Sequence, residues 1–268
     1  MKPADAITCE ALTRRFGDTV AVDGLDLSVR PGEMLALLGP NGAGKSTTVH
    51  MLTTMLPPTS GRGRVMGLDV TRHAREVRSL IGVVFQEPAL DDRLTAWENL
   101  EFHAVLYGIA GRHRREAIQR ALEWAELQGR AHHLVRTFSG GMKRRLELAR
   151  ALMHGPAVLF LDEPTLGLDP QGRRKLWEQI AALRSRGVTT LLTTHNMLEA
   201  EQCDRVAIID RGQLLVVDTP SALKERSLGG PTLEDVFLQL TGRQLRDPDA
   251  SPREWLLSFG RRGGEHTR

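Results

Sequence analysis

The apolar and polar positions along the chain predict strands and helices in alternation. Apolar runs of the length of buried strands occur at Met34 to Leu38, Ile81 to Phe85 and Val158 to Leu161, and two more strands are predicted at Val188 to Thr194 and Val206 to Asp210. Residues 7–38 are predicted to form short strands and turns, because apolar and polar residues alternate from Leu25 to Val29. Residues 57–63 are predicted to form a loop, followed by a short strand at Val65–Met66.

Helix-like spacing takes over between about Pro88 and Arg150. Thr95 and Glu98 have the spacing of a helix capping box, and apolar residues from Ile118 to Ala125 share one helix face. A later amphipathic helix is predicted to end near Gly187. The alternation predicts an α/β fold with a mostly parallel sheet and helices on both faces. A helical subdomain is inserted into this core at about residues 88–150.

Composition and charge are those of an ordinary globular protein. The chain has 268 residues, of which 41% are hydrophobic and 26% charged, and its net charge of +3 is weak evidence for nucleic acid as a partner. Cys9 and Cys203 are far apart and fit no metal-ligand pattern, which is typical of inert thiols in a reducing compartment. The first ten residues lack an apolar signal segment, and no run approaches the about 18–20 apolar residues that span a bilayer. We therefore expect a protein that is soluble or attached to a membrane only through a partner.

A glycine-rich stretch follows the apolar run that ends at Leu38 and precedes helix-like spacing. It fits the phosphate-loop pattern G-x-x-x-x-G-K-[ST] and consists of Gly39, Pro40, Asn41, Gly42, Ala43, Gly44, Lys45, Ser46 and Thr47. The glycines let backbone N–H groups curl around phosphate oxygens, and the helix N-terminus adds the positive end of its dipole. We expect Lys45 to reach the β- and γ-phosphates and the Ser46 hydroxyl to bind Mg²⁺. The stretch predicts a nucleotide triphosphatase.

The apolar run at residues 158–161 ends in Asp162 and Glu163. A strand that carries an Asp at its C-terminal end beside a phosphate loop has the Walker B arrangement. Asp162 is then expected to hold Mg²⁺, and Glu163 to orient or deprotonate the attacking water. A strand followed by Asp-Glu is by itself more often a solvated turn, but the phosphate loop requires such a strand and favours the functional interpretation.

Ser139, Gly140 and Gly141 precede the helix-spaced run MKRRLELARAL. A Ser hydroxyl, two residues without Cβ and a helix N-terminus form a second candidate anion site. On its own the stretch favours a simple helix N-cap. One molecule rarely needs two such sites for one triphosphate, whereas two copies facing head to tail would use both.

Four motifs in order resemble the ATP-binding subunit of an ABC transporter. They are GPNGAGKST, FSGGMKRRLELARAL, LFLDEPTLGLD and TTHNMLEAE, and the resemblance covers about residues 7–240. It implies a P-loop NTPase fold with an N-terminal antiparallel β subdomain and the inserted helical subdomain. Residues 1–240 are then the nucleotide-binding domain. The polar composition beyond about Gly242 predicts a weakly ordered C-terminal tail at residues 241–268, with one short docking helix around Trp255. The implied cofactors are ATP and Mg²⁺.

The resemblance also implies that two copies sandwich two ATP molecules head to tail. Ser139, Gly140 and Gly141 match the residues that contact the γ-phosphate held by the opposite subunit. Asp169 matches the loop that crosses the dimer interface. The motif departs from its usual form at Phe138 and at Met142, which lacks the polar end of the usual glutamine.

Other roles implied by the resemblance lie within one chain. Glu163 matches the catalytic carboxylate, and His195 the switch histidine that contacts the γ-phosphate. Gln86 matches the glutamine that senses Mg²⁺ and the water and couples to the membrane subunit. Phe16 matches the aromatic residue that stacks on adenine.

Further stretches indicate which group of ABC transporter ATP-binding subunits the chain resembles. EPALDDRLTAWENL after Gln86 and TLEDVFLQLTG at residues 232–242 resemble the daunorubicin/doxorubicin-resistance exporters and their relatives, which include sodium-export ATPases. The implied partner is a separate transmembrane permease docked by helices between about residues 88 and 135. The implied location is the cytoplasmic face of the cell membrane, as a peripheral protein.

Two other functions are open at this point. A soluble ABC ATPase that acts on ribosomes usually has two cassettes in one chain, and one that acts on DNA has a long coiled coil between the positions of Lys45 and Ser139. The chain has one set of motifs and no sustained heptads there. A non-hydrolysing regulatory subunit is disfavoured because Lys45, Asp162, Glu163 and His195 are all present.

Overall fold

A computed structural model describes residues 4–225 and 232–242 of the chain. The strands are β1 (Ile7–Phe16), β2 (Thr19–Val29), β3 (Met34–Leu38), β4 (Ser60–Val65), β5 (Leu68–Asp69), β6 (Ile81–Val84), β7 (Val158–Asp162), β8 (Thr189–Thr194), β9 (Arg205–Asp210) and β10 (Gln213–Asp218). The helices are α1 (Lys45–Leu52), α2 (Ala74–Leu80), α3 (Ala96–Leu106), α4 (Gly111–Trp124), α5 (Gly140–Leu152), α6 (Pro170–Ser185), α7 (Met197–Ala200), α8 (Pro220–Glu225) and α9 (Leu233–Thr241).

The larger sheet confirms the predicted α/β core. Its strand order is β10-β9-β3-β8-β7-β6, and all of its strands run parallel except β10. Alternate residues of β3 enter different cores: Leu35 and Leu37 pack toward the smaller sheet, whereas Met34, Ala36 and Leu38 pack toward α5, α6 and α9. A strand covered on both faces has a continuous apolar sequence, which explains why these strands were predictable.

The smaller sheet confirms the predicted antiparallel β subdomain, with the order β2-β1-β4-β5. The loop predicted at residues 57–63 is confirmed for residues 57–59 and is wrong for residues 60–63, which belong to β4. The glycines that indicated a loop instead allow close pairing: a Cβ on Gly61 would lie 2.0 Å from the carbonyl oxygen of Ala11 on β1. Met66, predicted as strand, is in the turn after β4 with a φ of 51°.

The helical subdomain contains α3, α4, the 3-10 helices Gln128–Arg130 and Val135–Thr137, and one face of α5. Thr95 and Glu98 form the predicted capping box of α3. On α5, Leu146 packs into the subdomain, whereas Leu148 packs against the larger sheet. This helix is therefore shared between the subdomain and the core.

The C-terminal part of the described chain is α9, capped by Thr232 and ended by Gly242 in the left-handed region. It packs against the larger sheet through Val236 and Phe237. The predicted helix around Trp255 lies outside the described residues. Within residues 4–225 and 232–242, none of the helices has the combination of length and apolar character that crossing a bilayer requires.

Candidate active site

The phosphate-loop sequence connects β3 to α1 and is closely packed at two glycines. A Cβ on Gly39 would lie 2.3 Å from the carbonyl oxygen of Ile209, and one on Gly44 would lie 2.3 Å from that of Ala21. Gly44 also has a φ of 102°, which favours glycine. Backbone contact on this side fixes the loop around the start of α1, where N–H groups without intrahelical partners are available to an anion.

Lys45 is buried, and its ammonium lies at the centre of the site. Its Nζ donates to the carbonyl oxygens of Gly39 at 2.8 Å and Pro40 at 3.1 Å, and lies 3.3 Å from Oε1 of Glu163. Burial lowers the pKa of Lys45, and this effect outweighs the opposing effect of Glu163. The side chain is held by the phosphate loop and by the end of β7 at once.

Asp162 lies at the end of β7 beside Ser46. The Ser46 hydroxyl donates to Oδ1 of Asp162 at 3.1 Å, and the hydroxyl of Thr193 donates to the same oxygen. Thr193 reaches it because β8 pairs in parallel with β7 and brings these two residues into register. One buried carboxylate oxygen and a hydroxyl are hard oxygen ligands of the type that suits Mg²⁺ when a nucleotide supplies phosphate oxygens. This donor set fits the predicted metal.

Glu163 follows Asp162 in an uncommon backbone conformation, with a φ of 44°. Its N–H donates to the carbonyl oxygen of Thr193 at 3.2 Å and to the hydroxyl of Thr193 at 3.0 Å. Oε2 lies 3.1 Å from Nδ1 of His195. Burial raises the pKa of Glu163, but the hydrogen bond with His195 and the charge of Lys45 outweigh it and leave the pKa below its ordinary value. The carboxyl group is therefore ionised at neutral pH.

An open cleft of about 720 Å³ lies in front of these residues. Its lining includes Asn41 to Thr47 of the phosphate loop together with Gln86, Glu163, Leu166 and Gly167. The structure thus brings the predicted phosphate loop, Gln86 and Glu163 to one surface, and His195 contacts that surface through Glu163. The volume is large enough for a nucleotide-sized ligand.

The second predicted anion site lies elsewhere in the chain. Ser139 caps α5 by accepting from the N–H of Met142 at 3.3 Å, and Asp169 caps α6 by accepting from the N–H of Gly172 at 2.6 Å. A Cβ on Gly141 would lie 3.7 Å from Cα of Gly172, so the two caps are neighbours. Ser139, Gly140, Gly141 and Asp169 do not line the Lys45 cleft.

Phe16 also lies outside the lining of the cleft, at the end of β1. Its side chain is 47% exposed, and the guanidinium of Arg14 lies 4.6 Å from the ring centroid. The ring is therefore partly covered by Arg14 and partly open to solvent. The role of Phe16 stays a prediction.

Two residues of the site were missed by sequence reasoning. Thr193 binds both Asp162 and Glu163. The sequence feature that could have predicted this role is its position in the strand that leads to His195. Arg144 is buried and donates to backbone oxygens at the end of β7. The sequence gives little indication that Arg144 is buried at the site, because an arginine near the start of a helix is usually at the surface.

Comparison with known proteins identifies similar chains. A sequence profile of the family described as ABC transporter matches residues 22–166. The chain is 43% identical over 238 residues to the probable multidrug ABC transporter ATP-binding protein YbhF of Escherichia coli (strain K12), covering 87% of this chain and 41% of that one. It is 45% identical over 235 residues to the daunorubicin resistance ATP-binding protein DrrA2 of Streptomyces coeruleorubidus, covering 87% of this chain and 73% of that one. The chain therefore spans less than half of the length of YbhF.

A solved structure with the same fold is a dimeric ATP-binding cassette in a post-hydrolysis state, bound to ADP and Pi. The TM-score is 0.72 at 27% sequence identity, and the alignment covers 80% of this chain and 98% of that one. The similarity therefore extends to the fold of most of the chain.

Proposed function

Because the chain belongs to the ABC transporter family, we propose that it binds and hydrolyses ATP to power export through a separate transmembrane subunit. The observation that carries this proposal is the cluster of Lys45, Asp162, Glu163 and His195 at the cleft formed by the phosphate loop. It combines a cation for phosphate, an oxygen site for Mg²⁺ and an ionised carboxylate for water.

The residues of this chain have distinct tasks in the proposed reaction. The phosphate loop and Lys45 bind the β- and γ-phosphates, and Ser46 and Asp162 hold Mg²⁺. When bound, Mg²⁺ neutralises charge that develops on the phosphate oxygens. Glu163 is ionised. It orients the attacking water toward the γ-phosphate by accepting a hydrogen bond, and it takes up the water's proton as the new P–O bond forms and the bond to the ADP oxygen breaks. His195 holds the carboxylate of Glu163 in place through Nδ1.

The second anion site supports a head-to-tail dimer. Ser139, Gly140 and Gly141 are exposed or half-buried at the start of α5, beside Asp169, and they are not among the residues that line the Lys45 cleft of the same chain. In the proposed assembly they complete the cleft of a second copy, so that each ATP lies between two chains. ATP then favours the closed dimer, and loss of the γ-phosphate reopens it.

The surface of α3 supports docking of a permease. Phe102, Val105 and Leu106 are exposed by 63%, 52% and 66%, and Tyr107 follows them at the end of the helix. Large apolar side chains grouped on one exposed helix mark an interaction surface. We infer that a permease covers it, which places the protein as a peripheral subunit at the cytoplasmic face of the membrane. Nucleic acid is not a partner in this proposal.

The proposed cargo is a drug or another hydrophobic compound. The names of YbhF and DrrA2 refer to multidrug transport and daunorubicin resistance. Sodium or another substrate is the alternative, because the residues that contact cargo would lie mainly in the permease. Transport by membrane vesicles that contain the permease, with daunorubicin and with sodium as separate substrates, discriminates between them.

Glu163→Gln provides the experiment for the motor itself. The amide cannot accept a proton from water, so phosphate release is expected to fall at least about 100-fold while ATP binding persists. The variant is expected to form a stable dimer in ATP and Mg²⁺, measured by light scattering after size exclusion. Glu178→Gln, at an exposed position on α6, is the matched control. A Glu163→Gln variant that stays monomeric in ATP contradicts the sandwich dimer.

A further inference from the structure

Arg144 connects α5 to two strand ends of the larger sheet. It is only 7% exposed. Its guanidinium donates to the carbonyl oxygens of Pro164 at 2.7 Å, Asp162 at 3.0 Å and Glu163 at 3.2 Å, and also to that of Phe85. One side chain thus binds three successive carbonyls around the proposed catalytic carboxylate and the last peptide before Gln86.

Glu147 completes this arrangement one helical turn later on α5. It is 1% exposed, and its Oε2 lies 3.2 Å from Nη1 of Arg144. Its Oε1 accepts from the N–H of Ala89 at 2.6 Å, and the carbonyl oxygen of Ala89 accepts from Arg150 at 2.5 Å. The segment after β6, which carries Gln86, is therefore held to α5 by charged side chains.

The contacts of Arg144 and Glu147 are more extensive than a contribution to stability alone would explain. A buried ion pair generally adds little to stability relative to apolar residues of similar size, because both charges are desolvated. The planar guanidinium has five donors in a fixed fork, and here they meet carbonyls whose directions depend on the φ of 44° at Glu163. An uncommon backbone conformation persists only where its surroundings hold it. Arg144 supplies that restraint on the carbonyl side, opposite to the contacts of Thr193 with the Glu163 N–H.

We propose that Arg144 and Glu147 are positioning residues for ATP hydrolysis, which hold the peptides of Glu163 and of the Gln86 segment to the helix that begins at Ser139. The inference rests on the proposed hydrolytic role of Glu163. In this proposal, α5 carries the anion site at its start and also holds the backbone around Glu163. A phosphate bound at Ser139 would therefore be connected to the carboxylate of Glu163 in the same chain through α5 and the guanidinium of Arg144.

The experiment compares Arg144→Lys with Arg145→Lys in the full chain. Lysine keeps the charge at position 144 but is a point donor that cannot bind four carbonyls in a fork. The neighbouring Arg145 is half-buried and donates to Ala125 at 3.0 Å, away from the site, which makes it the matched control. Steady-state phosphate release and binding of a fluorescent ATP analogue are measured well below the melting temperature, with folded protein quantified by circular dichroism.

The expected result is a lower kcat with an unchanged affinity for ATP. Arg144→Lys is expected to lower kcat at least about tenfold, because small displacements of a reacting group are costly, while KM and the Kd of the analogue stay within about twofold. Arg145→Lys is expected to match the wild type. If Arg144→Lys fails to fold, Glu147→Gln replaces it, since it keeps the shape but removes the charge that holds Arg144, and the same result is expected.

Two outcomes overturn the inference. The first is a folded variant of Arg144 or Glu147 with the kcat of the wild type, and the second is a loss of kcat that is matched by an equal loss of ATP binding. If instead the wild type releases no phosphate under conditions that form dimers, the proposed function fails. The wild-type measurement therefore distinguishes the two failures.

Discussion

The ammonium of Lys45 and the carboxylate of Glu163 form a buried ion pair, with 3.3 Å between Nζ and Oε1 and side chains that are 4% and 8% exposed. The pair joins the phosphate loop to the end of β7. In the proposed reaction, the phosphate oxygens of a bound triphosphate would compete with Glu163 for the ammonium of Lys45. A Lys45 ammonium that binds phosphate would leave the carboxylate of Glu163 free to accept a hydrogen bond from water.

The first prediction concerns Lys45→Gln. Removing the ammonium is expected to weaken ATP binding by about 10- to 100-fold, the effect of one strong charge-assisted hydrogen bond. Titration with a fluorescent ATP analogue at constant Mg²⁺ measures it. Lys175→Gln removes an exposed lysine paired with Glu126 and is expected to leave affinity unchanged. Equal affinities of the two variants would contradict the role of Lys45.

The second prediction concerns pH and stability. The pKa of Glu163 in the folded protein is below its ordinary value of 4.5, because His195 and Lys45 outweigh burial. A lowered pKa stabilises the fold fully above the unfolded value, and this contribution is lost as pH falls through the folded value. The free energy of unfolding of the wild type relative to Glu163→Gln is therefore expected to be constant from pH 7 down to about 4.5 and to fall below it. Urea unfolding at several pH values measures it, and a relative free energy of unfolding that rises as pH falls below 7 would show that burial dominates instead.

Much of the site could be predicted because its signals are local. The nine residues from Gly39 to Thr47 form one contiguous turn, and Asp162 and Glu163 follow a buried strand directly. The caps of α3 and α5 each involve residues three positions apart, a spacing that sequence reasoning handles well. These features need no knowledge of distant contacts.

The remainder depends on partners that are far apart in sequence. The sequence predicts a loop at Gly61, because the contact that places this residue in a strand is with Ala11, fifty positions earlier. The sequence pattern does not predict strand β10, because it is an edge strand in which no residue is fully buried. Arg144 was missed because its partners at Phe85 and Pro164 approach only when β6 and β7 pair in parallel.

A third prediction tests the metal site through Ser46. Ser46→Ala removes the hydroxyl that lies 3.1 Å from Oδ1 of Asp162. The Mg²⁺ concentration for half-maximal phosphate release is expected to rise at least about tenfold, as is typical when a group at a metal site is removed. Ser46→Thr keeps the hydroxyl and is expected to resemble the wild type, and excess EDTA is expected to stop hydrolysis in both. An unchanged Mg²⁺ dependence in Ser46→Ala would exclude Ser46 from the metal site.

The fourth prediction concerns the two cysteines, which are free and buried. Burial, with a smaller effect of Asp26, raises the pKa of Cys9 to about 12, and burial raises the pKa of Cys203 as well. Because the thiolate is the reactive form, neither residue is expected to react with iodoacetamide at pH 8 in the folded protein. Mass spectrometry is expected to detect two modified cysteines only after unfolding in urea. Rapid labelling of the native chain at either position would contradict the burial.

The last prediction separates the stability of the helical subdomain from the chemistry of the cleft. In the α3 capping box, the Thr95 hydroxyl accepts from the Glu98 N–H at 3.2 Å and the Glu98 carboxylate accepts from the Thr95 N–H at 2.8 Å. Thr95→Ala is expected to lower the free energy of unfolding by about 1 kcal/mol, measured by urea denaturation, whereas Thr95→Ser keeps the cap and restores most of it. ATP affinity is expected to stay unchanged in both, because Thr95 does not line the Lys45 cleft. A parallel loss of ATP affinity in Thr95→Ala would mean that the packing of α3 reaches the phosphate loop, and the two regions would then respond as one unit.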